Sequence, residues 1–387
     1  MSNTRPRYSQ QGPGVRLQHQ GHKSKRVSYK RVHKLQEGPH IRNWIDVYFT
    51  PALANSSEQL IAEASKDVEI CTKGIEKIAN VMYEAVKNET FSIKNWKKHE
   101  LNPKTMDAAA IDWIFLVDTL NFSFWHADEE NKFVVNYNGK GWTGYWSLCA
   151  AINRAIDNGI PVTSADYYAS ISQEQLMDIF KSDSAQNIPM LEERLEVLHE
   201  TGKILLQRCG GSFVHCIRMC DNSAEKLLHF VTTNFPSYQD EAEFGNKQVA
   251  FYKRAQILIA DIWACFEGQG LGFFYDIDFL TIFADYRIPQ ALNYFEVLKY
   301  SDSLMKILEK DKLLVSKDRL EVEIRGCTIW AIELIKEETK KLLEKDPETK
   351  DALFNSVLID YFLWDYRRDH ADGMKQVPFH KVRSIYY

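Results

Sequence analysis

Thr72-Lys73-Gly74-Ile75-Glu76-Lys77-Ile78-Ala79-Asn80-Val81-Met82-Tyr83-Glu84-Ala85-Val86 returns its apolar side chains at helical spacing, through Ile75, Ile78, Met82 and Val86. Steps of three and four residues bring side chains back to one face of an α-helix, which is the first sign of a helical chain. Upstream, Ser56-x-x-Gln59 has the form of a capping box, so the helical pattern starts near residue 56. Downstream, Ala108, Ile111 and Phe115 give residues 106–118 a similar apolar face.

The pattern changes once. Residues 133–137 and 140–145 flank Asn138-Gly139, and Asn-Gly supplies the positive φ angles of a two-residue hairpin turn. A helix over about 147–158 then ends at Gly159, a C′ glycine. Ser172-x-x-Gln175 opens another, and Leu191, Leu195, Leu198 and Leu205 mark one that closes near Gly210-Gly211. Further helical stretches run at about 224–234, 247–266, 289–299, 302–310, 319–345 and 351–369, with Pro289 placed as an N1 proline. There is no fixed-period repeat and no Pro- or Ser-rich linker beyond residue 50. The expectation is a mainly α fold: a single compact multi-helix domain over residues 46–387 with a small β-hairpin.

The 387 residues are 45% hydrophobic and 26% charged, enough for a large core. The charge is uneven. Residues 1–45 hold ten Lys/Arg and one acid, Glu37, for a local charge of +9, which leaves −14 on the remainder. That first stretch reads as a disordered, solvated basic extension. A mitochondrial transit segment, a nuclear signal and a weak electrostatic contact with RNA are the competing readings. An acidic body is a poor match for a duplex groove, which neutralises many phosphates. No apolar run is long enough to span a membrane, and the N-terminus lacks the apolar stretch of a signal peptide. Seven cysteines in apolar surroundings point to a reducing, cytoplasmic home. Cys209, Cys216 and Cys220, with His215, lack C-x2-C spacing and are read as plain thiols rather than a metal site.

Three aspartates stand among aromatic rings: Asp285 in Phe283-Ala284-Asp285-Tyr286-Arg287, and Asp360 and Asp365 in Asp360-Tyr361-Phe362-Leu363-Trp364-Asp365-Tyr366. Large rings strip water from a carboxylate, which then needs a donor, a cation or a function. On a helix, Asp360 and Trp364 are about 40° apart, whereas Asp365 lies about 140° from Asp360, so spacing alone places at most one of the two acids in a cleft. Structural partners are the alternative, with Arg325, Arg367 and Arg368 available. Asp285 precedes the Pro289 helix and reads either as an imperfect cap or as a ligand contact. His99 starts a loop, within reach of a hydroxyl or phosphate. Residues 118–125 form an aromatic cluster that is either structural or part of a site. Gly141-x-x-Gly144 and Gly268-Gln269-Gly270 lack the context of a nucleotide loop, and no Walker lysine, nucleophile elbow or H-E-x-x-H is present.

Several blocks resemble the queuosine salvage protein family, the queuosine 5′-phosphate N-glycosylase/hydrolases. They are HELNP (99–103), DTLNFSFW (118–125), GYWSLCAA-N (144–153), FYKRAQIL (251–258), FADYR-PQ (283–290), EVEIRGC (321–327), DY-LWDY (360–366) and PFH-VR-IYY (378–387). The resemblance spans about 56–387. It implies a helical fold distantly like DNA glycosylases, and hydrolysis of queuosine 5′-monophosphate to queuine and ribose 5-phosphate. It implies His99, Phe283, Asp285, Asp360 and Trp364 as ligand contacts and Asp365 as the catalytic carboxylate. Lys203, Lys253, Arg254 and Arg383 are the candidate phosphate contacts. The implied partner is a small nucleotide, with no cofactor, metal, stable nucleic-acid complex or membrane. A non-catalytic nucleobase- or tRNA-associated binding module and a DNA-repair-type glycosylase are the alternatives.

Overall fold

The computed structural model describes residues 57–128 and 131–387. The basic extension and Ser56 of the expected capping box lie outside them. Among the described residues the fold is mainly helical, with three small antiparallel two-stranded sheets.

The opening helices are α1 (Ser57–Ala64) and α2 (Thr72–Lys87), separated by strand β1 (Val68–Ile70). On α2, Ile75, Ile78 and Met82 are buried and Val86 is half-buried, as their spacing requires. The short α3 (Lys94–Lys98) precedes α4 (Ala108–Thr119), whose first turn is capped by Asp107, accepting from the Ala110 N–H at 3.0 Å. The Asn-Gly hairpin forms as expected. Strands β2 (Val134–Tyr137) and β3 (Lys140–Thr143) join through Asn138 (φ 51°) and Gly139 (φ 75°), and buried Val135 faces buried Trp142. Helix α5 (Tyr145–Asp157) is followed by the C-cap Asn158 and then by Gly159, at φ 76°.

The next layer is α6 (Ala165–Tyr168), α7 (Gln173–Ile179), α8 (Leu191–Arg208), α9 (Phe213–Met219) and α10 (Ala224–Asn234). Ser172 and Gln175 form the expected capping box on α7. Gly210 and Gly211, both at positive φ, end α8.

Residues 247–266 correct the sequence reading. Their first four residues are strand β5 (Lys247–Ala250), paired with β4 (Glu241–Phe244), and helix α11 spans only Lys253–Cys265. The turn is Gly245-Asn246, at φ 56° and 64°, so Gly-Asn closes a primed hairpin just as Asn-Gly does. The stretch 289–299 also divides: α12 (Ile288–Tyr294) ends, Glu296 turns at φ 61°, and β6 (Leu298–Tyr300) pairs with β1. That pairing brings α2 so close that a Cβ on Gly74 would lie 2.5 Å from the Glu296 carbonyl oxygen, which explains the glycine. Helix α13 covers Asp302–Leu308, and α14 covers Arg319–Lys345, as read. Helix α15 begins at Ser356 rather than 351, because Asn355 caps it by accepting from the Leu358 N–H at 3.0 Å, and it runs to Asp369.

Two helices organise the core. Helix α11 is buried almost all round, through residues such as Ala255, Leu258, Ile259, Ile262 and Trp263, and packs against α4 and α10. Helix α14 packs on α1, α2 and α15. Its buried Glu323 accepts from the Ser65 hydroxyl and from the Lys66 and Asp67 N–H groups, which pins the turn into β1.

Candidate active site

One cavity of about 620 Å³ is lined by all six residues singled out in the sequence: His99, Phe283, Asp285, Asp360, Trp364 and Asp365. They come from three separated stretches of chain. The cavity follows α15 as the helix leaves the core, from buried Ser356–Asp360 to the exposed residues beyond Trp364. For that reason both Asp360 and Asp365 reach it, although they are on different faces of the helix.

Asp360 sits at the floor, 5% exposed, and accepts from the Phe283 N–H at 3.1 Å. Burial, reinforced by the charge of Asp285, holds its carboxyl well above the ordinary carboxylate range. Asp285 Oδ1 accepts from the Arg287 and Ile288 N–H groups at 2.7 and 2.9 Å. The cap reading was therefore sound for one oxygen, and the residue still lines the cavity. Asp365 stands at the rim, in contact with solvent yet crowded by protein. Burial, with the charge of Asp369, pushes its carboxyl up to about 6.

Of the three arginines available to these acids, Arg368 stays close enough to Asp365 to oppose the effect of burial on its carboxyl, and the other two pair elsewhere. Arg325 makes a bidentate pair with Asp240 (2.5 and 2.9 Å) and donates to the Ala284 carbonyl at 2.9 Å, next to Asp285. Arg367 donates to Gln290 Oε1 at 3.2 Å.

The walls are aromatic. His99 stacks on Trp146 with ring centroids 3.3 Å apart, and Trp146 meets Trp364 edge to face at 5.7 Å. The His99 loop is tied down by Asn153 of α5. Its amide donates to the Leu101 carbonyl at 2.8 Å, and its oxygen accepts from the Trp113 indole at 2.7 Å. The Leu101 N–H donates to His99 Nδ1 at 3.4 Å, so the neutral ring carries its proton on Nε2. Burial and the nearby Arg368 push His99 down to about 4.

Residues 120–126 form no helix or strand, yet much of the segment is buried against the cavity. A buried guanidinium satisfies part of its backbone, Arg194 donating to the Leu120 and Phe122 carbonyls, and a second, Arg254, donates to the Thr119 carbonyl just before it and to the Ser237 carbonyl. Arg254 is thus a scaffold residue, not a phosphate contact. Lys203 is exposed on α8, and Arg383 lies 3.6 Å over the Trp125 ring; neither lines the cavity. Of the four basic candidates only Lys253 does. Its buried ammonium donates to the Asn121 carbonyl and Oδ1 at 3.2 and 3.3 Å, close to Asp285, Asp118 and Asp360.

Asp261 was not anticipated. It lines the cavity at 3% exposure, accepts from the Tyr361 hydroxyl at 2.7 Å, and is pushed up to about 7 by burial. A lone acid in the apolar run 257–264 was the available signal. Among the described residues no group of three or more His, Cys, Asp or Glu is arranged to hold a metal ion, and no helix is long and apolar enough to cross a membrane.

Carboxylates set among stacking surfaces suit a flat, hydrogen-bonding, partly cationic ligand. The model of the family described as queuosine salvage protein matches residues 101–387. The chain belongs to the queuosine salvage protein family. A mouse (Mus musculus) relative named queuosine 5′-phosphate N-glycosylase/hydrolase is 52% identical over 338 residues, covering 87% of this chain and 99% of the relative. A relative of the same name from Schizosaccharomyces pombe is 40% identical over 348 residues, covering 85% and 98%. A third, from the bacterium Sphaerobacter thermophilus, is 37% identical over 279 residues, covering 72% and 82%. The queuosine salvage family match ends at Tyr387, whose ring lines the cavity and whose hydroxyl donates to Glu321 at 2.8 Å.

Proposed function

We propose that this chain hydrolyses the N-glycosidic bond of queuosine 5′-monophosphate, releasing queuine and ribose 5-phosphate for salvage into tRNA. The activity is assigned to residues 46–387, a helical scaffold distantly like the DNA glycosylases, acting in the cytoplasm. The observation that carries the reading is the convergence of Asp285, Asp360 and Asp365 on one aromatic-walled cavity.

Queuine is a 7-deazaguanine, so the ring nitrogen whose protonation helps ordinary purines depart is missing. The burden falls on the sugar. Asp365, ionised above pH of about 6, stabilises positive charge at C1′ as the bond to the base nitrogen breaks. The bonding pair leaves with the base, water supplies the oxygen that closes on C1′, and its proton ends on the departing nitrogen or in solvent. Phe283 and Trp364 stack on the base, and the Asp285 oxygen not used by the backbone accepts from its N1–H and amino group. Asp360 ionises against the cationic side-chain amine of queuine. His99 donates from Nε2 to the ribose phosphate.

The test is incubation of the purified protein with queuosine 5′-monophosphate and detection of free queuine by mass spectrometry. Release that disappears in Asp365→Asn supports the reading. No release from the wild type, or full activity in that variant, refutes it. The acidic body and the small cavity are poor matches for a DNA-repair glycosylase.

A further inference from the structure

We infer that Arg368, with His99, forms the subsite that clamps the 5′-phosphate and so sets the preference for a nucleotide over a nucleoside. This inference rests on the function proposed above.

The cavity is lined by six cationic side chains, Lys98, Lys132, Lys253, Arg287, Arg367 and Arg368, in a body that is otherwise acidic. Most of these are already engaged. Lys98 donates to Asn95 at 2.9 Å. Arg287 and Arg367 both donate to Gln290 Oε1, at 3.0 and 3.2 Å, and Gln290 in turn holds the Val377 carbonyl. Lys253 is held by Asn121 and compensates Asp118, Asp285 and Asp360, so a phosphate dianion there would face three carboxyl groups.

Arg368 differs. Among the described residues its guanidinium makes no hydrogen bond and no ion pair; it lies over the Trp364 ring at 4.8 Å and the Trp146 ring at 5.9 Å. These faces orient the planar fork and leave its edge donors free for a bidentate contact. Trp146 also stacks on His99, so the neutral Nε2–H donor and the guanidinium flank the same indole. Arg368 lies one turn beyond Asp365 on α15, which places a phosphate anchor beside the carboxylate assigned to C1′. Asp365 and Asp369 flank it and oppose a dianion. The clamp therefore relies on direct hydrogen bonds rather than on net field, and only a ligand that reaches both Arg368 and His99 gains from it.

The experiment compares kcat/KM for queuosine 5′-monophosphate and for queuosine, in the wild type and in Arg368→Ala and Arg368→Lys. Charge-assisted bonds of this kind imply a fall of about 10- to 100-fold in the nucleotide-to-nucleoside ratio for Arg368→Ala, with partial recovery in Arg368→Lys. Inhibition of the wild type by ribose 5-phosphate should weaken in Arg368→Ala to a similar degree, while inhibition by queuine changes little. An unchanged ratio, whether both rates fell or neither did, overturns the inference, as does a wild type without preference for the phosphorylated substrate. A wild type that releases queuine from neither substrate sinks the proposed function and this subsite together.

Discussion

The Phe283 backbone N–H donates to Asp360 Oδ1 at 3.1 Å, so a stacking wall and a floor carboxyl 77 positions apart in sequence are held as one piece. The bond needs an acceptor at residue 360, not a charge. Asp360→Asn should therefore fold normally, whereas Asp360→Leu leaves a buried N–H without a partner and should lose about 1–3 kcal/mol. The carboxyl, held up by burial and by the Asp285 charge, is drawn back down by a bound cation. KM for queuosine 5′-monophosphate should rise about 10- to 100-fold in Asp360→Asn, with a smaller change in kcat. Calorimetry in buffers of different ionisation enthalpy should also detect proton release on binding in the wild type. Heats that do not vary with buffer would refute that assignment.

Asp365 should dominate the pH dependence. Its carboxyl, pushed up to about 6, is needed ionised, so kcat should fall as pH drops through about 6. A substrate phosphate also titrates near pH 6, with a second pKa of about 6. Asp365→Glu separates the two: a limb belonging to the enzyme moves, and one belonging to the substrate stays. His99, down at about 4, is neutral throughout this range, so a His99→Gln variant should be slower but keep the limb. The same raised carboxyl weakens the fold as it ionises. Asp365→Asn should thus melt slightly above the wild type at pH 8 and level with it below pH 4.

Lys253 offsets three carboxyl groups, and Lys253→Met leaves them facing one another. Burial and the Asp285 charge already raise Asp360, and losing the ammonium raises it further. A carboxyl raised in the folded state stabilises it below the unfolded pKa, and that stability is lost as pH rises. The deficit of Lys253→Met should be about 3 kcal/mol near neutrality and smaller at pH 5, measured by urea unfolding at both pH values. A deficit that shrinks with rising pH would contradict the role.

Much of this architecture was legible because it rests on local rules. The Asn138-Gly139 hairpin, the Ser172 capping box and the Gly159 stop each depend on a few adjacent residues. The β4–β5 hairpin also has a local signature, Gly245-Asn246, but it precedes an apolar run whose helical periodicity extended too far upstream. Strand β6 was illegible for a different reason: its partner β1 is some 230 positions away, and three residues carry no period of their own. At the site, aromatic company marked Asp285, Asp360 and Asp365, but helical angles could not show that the cavity turns with α15. Asp261 was hidden because its partner, the Tyr361 hydroxyl, lies on another helix. Arg254 stands among the four phosphate candidates because basicity in sequence does not distinguish a guanidinium facing a ligand from one facing carbonyls.

The carbonyls that Arg194 satisfies lead to the last prediction. In segment 120–126 the Leu120 and Asn121 N–H groups donate back into α4, and Arg194, fully buried, supplies donors to the Leu120, Phe122 and Pro189 carbonyls. Its guanidinium also lies 4.3 Å from the Phe122 ring centroid. Arg194→Met keeps most of the volume but removes all three of these bonds, and the Leu120 carbonyl keeps only the Phe122 N–H, at a cost of about 2–4 kcal/mol. Asn121, Phe122, Phe124 and Trp125 all line the cavity, so activity should fall even at temperatures where the variant remains folded. Arg194→Lys, which reaches fewer carbonyls at once, should lie between the two. Urea midpoints together with kcat/KM at 15 °C measure both effects. A variant within about 0.5 kcal/mol of the wild type would show that the segment is held chiefly by its contacts with the Val382–Ser384 backbone instead.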